Sequence, residues 1–273
     1  SFEESSFWQK NKNLLIIFYL YKDELDKKDF PIIKSVLHNF DPVDLEIIKQ
    51  DWQTIIDKIK AGEAHNISEG DTMYLAACTK GANAKSIRKQ PFSNIPAKQR
   101  AFSLKSSYMS AFARRVIDRQ LIPSLFNVDE LKSKTTLQLL QERFAPYIGK
   151  RVSEIAKLVD IPVTKNKAFN ANLISAVLGV KGTKLESLRE FSKANIKFKT
   201  IRLEPTGIPK EHMSFEQIDF HRWVNDAWED SQLYEKFEYT KYLFVVFQYD
   251  ETEKENKNRE PYLKGIMLWN MPE

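Results

Sequence analysis

Residues 41–62 read DPVDLEIIKQDWQTIIDKIKAG, and this stretch carries the clearest structural signal in the sequence. Asp41 suits a helix N-cap, and Pro42 suits the first helical position because its fixed φ and missing N–H are tolerated there. Apolar residues then recur at the helical period, at Leu45, Ile48, Trp52, Ile55, Ile56 and Ile59. Gly62 follows as a C-terminal stop. The stretch therefore predicts an amphipathic helix.

Apolar runs on both sides of this helix predict strands, so the expected fold class is α/β. Residues 13–21 and 242–249 are rich in β-branched and aromatic side chains, as buried strands are. Residues 12–18 (KNLLIIF) parallel residues 241–247 (KYLFVVF), which hints at a duplicated domain. Further strands are predicted at 29–37, within 69–79 and at 198–203, and further helices at 104–117, 137–147, 152–158 and 169–178.

Composition excludes several classes of protein. The chain has 273 residues, 42% of them hydrophobic, which is enough for one large domain or two modest ones. Its longest apolar run, residues 14–20, is too short to cross a bilayer. The single cysteine, Cys78, excludes an internal disulfide framework and a cysteine-rich zinc site. The four histidines lack metal-ligand spacing. We expect a protein of the reducing cytoplasm that binds no membrane.

Charge is distributed unevenly along the chain. The sequence has 42 Lys and Arg against 37 Asp and Glu, yet residues 72–117 contain no acid at all. This acid-free window holds nine basic residues: Lys80, Lys85, Arg88, Lys89, Lys98, Arg100, Lys105, Arg114 and Arg115. Cationic side chains without competing carboxylates favour a polyanion partner such as nucleic acid. The alternative is an incidental, solvated basic face on a structural protein.

Several motifs resemble those of the MutH nuclease family. In residues 1–118 they are Asp51-Trp52, Gly62, Glu69-Gly70, Tyr74-Leu75, KGANAK at 80–85 and RAFSLK at 100–105. In residues 136–273 they are looser: Lys167, Leu173, Leu178-Gly179, 196–201, 209–211 and 213–215. MutH nicks DNA at GATC, and its family includes tandem-domain, GATC-cutting type II restriction endonucleases. The SFWQKNK segment at 6–12 and the second half resemble these tandem enzymes most.

The resemblance implies a restriction-endonuclease-like mixed sheet flanked by helices, in two related domains. Residues 1–118 would be the back half of one MutH-like domain, residues 119–135 a linker, and residues 136–273 the front half of a second, degenerate domain. The chain would then be an internal fragment of a longer enzyme. A circularly permuted single domain, completed by residues 136–273 and 1–118 together, is an open alternative.

The same resemblance implies a set of DNA contacts in the first half. They are Lys80, Gly81, Asn83, Lys85, Arg88, Arg100, Ser103 and Lys105. Gly81 would let the backbone approach a phosphate or base, and Arg100 and Lys105 would contact phosphates. Cys78 stands where the family commonly has an arginine. Ser103 stands where MutH has a tyrosine that senses adenine methylation.

For catalysis, the resemblance implies a core of Asp followed by Glu-x-Lys, with a further Glu on a preceding helix, that holds Mg²⁺. Those acids are absent from the first half, and only Lys10 falls at an active-site position. The corresponding region of the second half is a degenerate pseudo-active site: Lys167, Ser175, Glu190, Lys197 and Lys199. No metal site is therefore expected within this chain, and Mg²⁺ is expected only for the full enzyme.

Two functions follow from the resemblance. The first is a GATC-specific type II restriction endonuclease of a restriction-modification system, or a fragment of one, acting on double-stranded DNA. The second is a non-catalytic DNA-binding or allosteric module, because the visible acids are degenerate. In either case self-association on DNA is a further possibility that the sequence leaves open.

Overall fold

The computed structural model of the chain describes residues 1–80, 86–119, 122–166, 168–215, 217–218, 220–224, 227–228, 231–251 and 259–271. The helices in this part are α1 (Ser6–Asn11), α2 (Pro42–Lys60), α3 (Ser106–Ile117), α4 (Val128–Ser133), α5 (Thr136–Phe144), α6 (Val152–Leu158), α7 (Phe169–Val177), α8 (Arg189–Lys193), α9 (Phe220–Trp223) and α10 (Gln232–Tyr239). The strands are β1 (Leu14–Tyr19), β2 (Ile32–His38), β3 (Leu75–Thr79), β4 (Ile87–Gln90), β5 (Ser93–Lys98), β6 (Arg100–Leu104), β7 (Ile196–Leu203), β8 (Lys241–Gln248) and β9 (Tyr262–Trp269). Small sheets packed with helices confirm the predicted α/β class.

Helix α2 forms where the sequence predicts it. The side chain of Asp41 accepts a hydrogen bond from the Val43 N–H at 3.0 Å, and Pro42 occupies the first turn. The helix ends before Gly62, whose φ of +78° is a left-handed conformation that glycine adopts without strain. Its inner face buries Ile48 completely. Neither α2 nor another helix in the described part of the chain is long and apolar enough to cross a membrane.

Strands β1 and β2 form an antiparallel hairpin in which Leu15 lies opposite Leu37. The prediction of a fully buried strand at β1 is wrong for every second side chain, because Leu15, Ile17 and Tyr19 are exposed. A strand covered on both faces reads as a continuous apolar run. Here the run is equally apolar, but the described elements cover only one face of this two-stranded sheet.

Strand β8 is the centre of a three-stranded sheet in the order β7–β8–β9. It runs parallel to β7, with Lys197 opposite Tyr242, and antiparallel to β9, with Val245 opposite Ile266. Nearly all of its side chains are buried, which confirms the predicted buried strand. β1 parallels β8 in sequence but lies in a two-stranded sheet, so the two similar segments occupy different surroundings.

One hydrophobic cluster joins the two segments that the sequence assigns to separate half-domains. It includes Phe2, Ile47, Tyr74, Phe144, Leu173, Phe191 and Leu243. Within residues 119–135, Leu125, Phe126 and Leu131 are buried in the same cluster and α4 lies in this stretch, while the assignment of a linker stays a prediction. Burial of these apolar side chains stabilises a packed segment over an exposed connection. A shared core is what the permuted single-domain alternative requires, while the division into related domains stays a prediction.

A buried ion pair ties α8 to α2. Lys193 donates to the carboxylate of Asp44, with 3% and 0% of the two side chains exposed. Tyr108 donates its hydroxyl to the same carboxylate at 3.0 Å, and the Lys193 ammonium lies 4.8 Å from the centre of the Tyr108 ring. Burial lowers the pKa of Lys193, and the negative charge of Asp44 opposes that shift. Removing one partner would leave the other as an isolated buried charge.

We expect Lys193→Met to lower the free energy of unfolding by about 3–5 kcal/mol, because Asp44 would stay buried without the opposing charge of the Lys193 ammonium. Chemical denaturation followed by tryptophan fluorescence measures this loss. Lys197→Met is the matched control; it removes an exposed lysine from β7 and should change stability by less than about 0.5 kcal/mol. A loss below about 1 kcal/mol for Lys193→Met, typical of a surface pair, would contradict the account.

Candidate nucleic-acid interface

The acid-free window folds into two antiparallel strand pairs joined by the predicted recognition loop. β3 pairs with β6, and β4 pairs with β5. The loop between β3 and β4 is held at both ends by Gln99: its carbonyl accepts from the Lys80 N–H at 2.7 Å, and its N–H donates to the Ser86 carbonyl at 2.9 Å. Three predicted DNA contacts within the loop lie outside the described residues, namely Gly81, Asn83 and Lys85.

The hairpin of β4 and β5 carries exposed positive charge next to this loop. Arg88 and Lys89 on β4 are exposed, as are Lys98 on β5 and Lys80 at the loop. Arg88 Nε donates to Gln99 Oε1 at 3.1 Å, so the residue that holds the loop also orients this guanidinium. The structure thus leaves the predicted contacts Lys80 and Arg88 accessible to a phosphate.

The hairpin is fixed against the segment that follows α2. Gln90 accepts a hydrogen bond from the Ala64 N–H at 3.1 Å and donates to the Ile95 carbonyl at 2.6 Å. Gly62 approaches the hairpin turn so closely that a Cβ there would lie 2.6 Å from the Phe92 carbonyl oxygen. A glycine is therefore required at this contact for a second reason besides its positive φ. These contacts hold the backbone of the turn in one place.

Arg100 is half-buried at the edge of a cavity of about 410 Å³. Its Nη1 donates to the Ala77 carbonyl at 2.8 Å. Lys98 lines the same cavity, but so do Glu69 and Glu238, which come from outside the acid-free window. Two acids from outside the acid-free window are therefore close in space to its cations. Of the predicted phosphate contacts, Arg100 is already engaged within the protein.

Lys105 is turned into the protein, which contradicts its predicted role as a phosphate contact. Its ammonium donates to the carbonyls of Glu69 at 2.6 Å and Thr72 at 2.7 Å. Burial lowers the pKa of Lys105, and the carboxylate of Asp51 opposes that shift. A buried ammonium needs fixed acceptors, and the two carbonyls provide them. Ser103 is half-buried in β6.

Asp51, on α2, orders the segment that leads into β3. Its buried carboxylate accepts hydrogen bonds from the N–H groups of Met73 at 2.7 Å, Tyr74 at 2.6 Å and Leu75 at 2.8 Å. Burial raises the pKa of Asp51, and these hydrogen bonds oppose the rise. In the sequence, Asp51 stands out only as part of a family motif. Its hydrogen-bond donors lie more than 20 residues away, so no local pattern predicts them.

Lys241, the first residue of β8, holds the same segment from the other side. Its ammonium donates to the Gly70 carbonyl, and 7% of the residue is exposed. Burial, together with the positive charge of Lys105, lowers the pKa of Lys241 to about 8. Lys58 and Asp71 add an ion pair at 2.8 Å. The turn at residues 69–72 is thus surrounded by buried or half-buried charges that the sequence does not reveal.

Glu190, the one acid of the predicted pseudo-active site, is not available to a metal ion. It is completely buried. Its carboxylate accepts hydrogen bonds from the Ser124 hydroxyl and from the N–H of Leu125 at 2.9 Å. Glu190 therefore anchors the stretch that the sequence predicts to be a linker.

The other predicted members of the pseudo-active site do not assemble around Glu190. Ser175 is buried in α7 and donates to a neighbouring backbone carbonyl at 2.9 Å. Lys197 and Lys199 lie on the same side of β7 and line one cavity of about 260 Å³. Lys167 lies outside the described residues. The structure thus brings together two lysines and no carboxylate from the predicted set.

The residues that the structure describes do not form a site that fits Mg²⁺. In the described part of the chain, no group of three or more His, Cys, Asp or Glu side chains could hold a metal ion. Mg²⁺ requires several oxygen ligands, among them anionic ones. Lys10, the predicted active-site lysine, is exposed in the last turn of α1.

His38 is buried against the rings of Phe40 and Phe112, and burial lowers the pKa of His38.

Two comparisons with known proteins agree with the motif resemblance. A family model described as DNA mismatch repair enzyme MutH matches residues 1–51 and 182–273. The type II restriction enzyme Sau3AI of Staphylococcus aureus is 38% identical over 288 residues, which cover 100% of this chain and 58% of Sau3AI. Both stretches that match the family model contribute side chains to the shared core, for example Ile47 and Leu243.

We expect the free energy of unfolding to rise with pH between about 8 and 10.5 because of Lys241. In this range the unfolded chain keeps the Lys241 proton and the folded chain loses it, so raising the pH favours the folded state. Lys241→Met lacks this contribution. The wild-type stability minus the variant stability should therefore increase across the range, by up to about 3 kcal/mol.

Urea denaturation at several pH values measures this difference. Lys264→Met is the control, because it removes an exposed lysine from β9 and should follow the wild-type pH dependence. A difference between wild type and Lys241→Met that is flat or falls with rising pH would contradict the lowered pKa of the buried Lys241.

Proposed function

The chain belongs to the MutH family, and from this premise we propose that it is the DNA-binding part of a GATC-specific type II restriction endonuclease. It spans about 58% of the length of Sau3AI, so cleavage is proposed for the full-length protein. GATC is proposed as the site because residues 80–85 and 100–105 resemble the recognition segment of the family. The proposed partner is double-stranded DNA, and self-association on DNA stays a prediction.

The observation that carries this proposal is the β4–β5 hairpin, which is fixed to the body of the protein beside the loop whose two ends are bound by Gln99. A two-stranded antiparallel ribbon can enter the major or the minor groove of DNA. Lys80, Arg88 and Lys89 are exposed on this part of the surface, where they can neutralise phosphates and release counterions. Because Gln90 and Gln99 already hold the backbone, binding requires little further ordering of the hairpin.

Hydrolysis of both DNA strands with Mg²⁺ is proposed for the full-length enzyme, with Lys10 as an accessory active-site lysine. When bound, the ion would supply Lewis-acid activation of the phosphodiester. The described residues offer no acidic cluster for it, so no step of hydrolysis is assigned to them. The role of this chain is to bind, orient and select the DNA.

A non-catalytic DNA-binding or allosteric module is the second candidate function. It is favoured by the predicted pseudo-active site, where Glu190 binds backbone groups and Lys197 and Lys199 bring positive charge. Both candidates predict the same DNA interface. They differ in whether the full-length protein cleaves.

We expect the chain to bind a GATC duplex more tightly than a scrambled duplex, with an affinity that falls steeply as salt increases. Lys80→Ala and Arg88→Ala each remove one phosphate contact, so each should reduce the slope of log K against log salt by about 0.9. Fluorescence anisotropy titrations at several salt concentrations measure the affinity and the slope.

Lys264→Ala serves as the control for these titrations, because it removes an exposed lysine outside the acid-free window. Its slope should equal that of the wild type. Equal affinity for both duplexes would refute GATC specificity and leave DNA binding standing. Failure to bind either duplex at low salt would refute the proposed function itself.

A further inference from the structure

The tip of the β4–β5 hairpin exposes an aromatic ring. Gln90 pairs with Ser93, so Pro91 and Phe92 form a two-residue turn between the strands. Phe92 is 62% exposed, which leaves most of an apolar ring in water. Single exposed apolar residues are common on protein surfaces and carry no meaning alone. The surroundings of this ring make the difference.

The backbone beneath Phe92 is held by contacts with the segment that follows α2. A Cβ on Gly62 would lie 2.6 Å from the Phe92 carbonyl oxygen, so the two backbones are in close contact. Gln90 binds both the Ala64 N–H and the Ile95 carbonyl, which ties the two strands to the body of the protein. The turn is thus immobilised by its backbone while the Phe92 ring faces solvent.

The apolar tip lies on a strand pair that carries exposed cations. Arg88, Lys89 and Lys98 lie on these two strands, and residues 87–98 contain no acid. Ile87 and Ile95 are 55% and 52% exposed on the same two strands. A hairpin that carries only positive charge and ends in an exposed aromatic ring matches a polyanion with stacked aromatic bases.

We propose that Phe92 is a wedge that enters between neighbouring base pairs of the DNA beside the recognition site. Proteins insert apolar side chains such as Phe in this way, and the partly unstacked step kinks the duplex. Stacking of a base on the ring compensates for part of the lost base stacking. This proposal rests on the proposed function, since it specifies how the same hairpin contacts DNA.

The length of the hairpin places the wedge relative to the loop. A strand advances about 3.3 Å per residue, so Phe92 lies roughly 15 Å along the hairpin from Ile87, where β4 leaves the loop. At about 3.4 Å of rise per base pair, this distance spans roughly four or five base pairs. The wedge is therefore expected in the flank of the site and not within the four base pairs of GATC.

The test places 2-aminopurine at each position in turn through six base pairs on either side of GATC, in a duplex that also carries a dye for anisotropy. 2-Aminopurine fluoresces more strongly when its stacking is disturbed. At saturating protein we expect a rise at one flanking step with the wild-type chain and none with Phe92→Ala. We expect Phe92→Ala also to weaken binding about tenfold, as loss of one stacking contact does.

Two variants separate the wedge from other roles of the hairpin. Phe92→Leu keeps an apolar wedge and should retain the 2-aminopurine signal. Lys80→Ala should weaken binding and retain the signal once the protein is saturated. If Phe92 were instead a docking point for another protein, Phe92→Ala would bind DNA with wild-type affinity, and the proposal would be overturned.

The anisotropy and the 2-aminopurine fluorescence together distinguish failure of the wedge from failure of the proposed DNA-binding function. Binding of the wild-type chain in the anisotropy channel without a 2-aminopurine response at any position overturns the wedge and leaves the DNA-binding function intact. Absence of binding in both channels overturns both proposals.

Discussion

Three backbone N–H groups converge on the buried carboxylate of Asp51, and the position of strands β3 to β6 depends on that convergence. A hydrogen bond to a charged group contributes about 1.5–3 kcal/mol, so three of them fix the start of β3 firmly on α2. β3 in turn pairs with β6, and the β4–β5 hairpin is inserted between them. Lys105 binds the carbonyls of Glu69 and Thr72 in the preceding turn, and Lys241 binds the carbonyl of Gly70. Buried charged side chains therefore hold the strands that carry the basic surface in position.

Helix α2 links this surface to the second half of the chain through a second buried acid. Asp44 binds Lys193 on α8, two turns before Asp51 binds the start of β3. Each of these interactions is costly unless complete, because a buried charge without its partners is destabilising by several kcal/mol. Together with the shared hydrophobic cluster, they make the two halves parts of one packed structure. The stretch at 119–135 joins that structure through the contacts of Glu190 with Leu125.

Local signals in the sequence predicted the elements that depend on local physics. The cap, the proline and the terminal glycine defined α2, and an apolar run defined β8. The sequence does not predict the β4–β5 hairpin, because basic residues and Pro96 obscure the alternation of apolar and polar side chains in its strands. The family resemblance assigned Lys105 to a phosphate contact, but its acceptors at Glu69 and Thr72 lie more than 30 residues away in the sequence. The resemblance likewise placed Glu190 in a pseudo-active site, but its partners lie more than 60 residues earlier. Contacts at such separations leave no local signal in the sequence.

The proposed role of this chain is DNA recognition without hydrolysis, since the described residues offer no acidic cluster for Mg²⁺. An end-labelled GATC duplex incubated with the 273-residue chain and Mg²⁺, beside a scrambled duplex, tests it most directly. We expect the GATC duplex to be retarded on a native gel and recovered uncut on a denaturing gel. Cutting confined to GATC would contradict it, because that result requires a working metal site formed by residues of this chain.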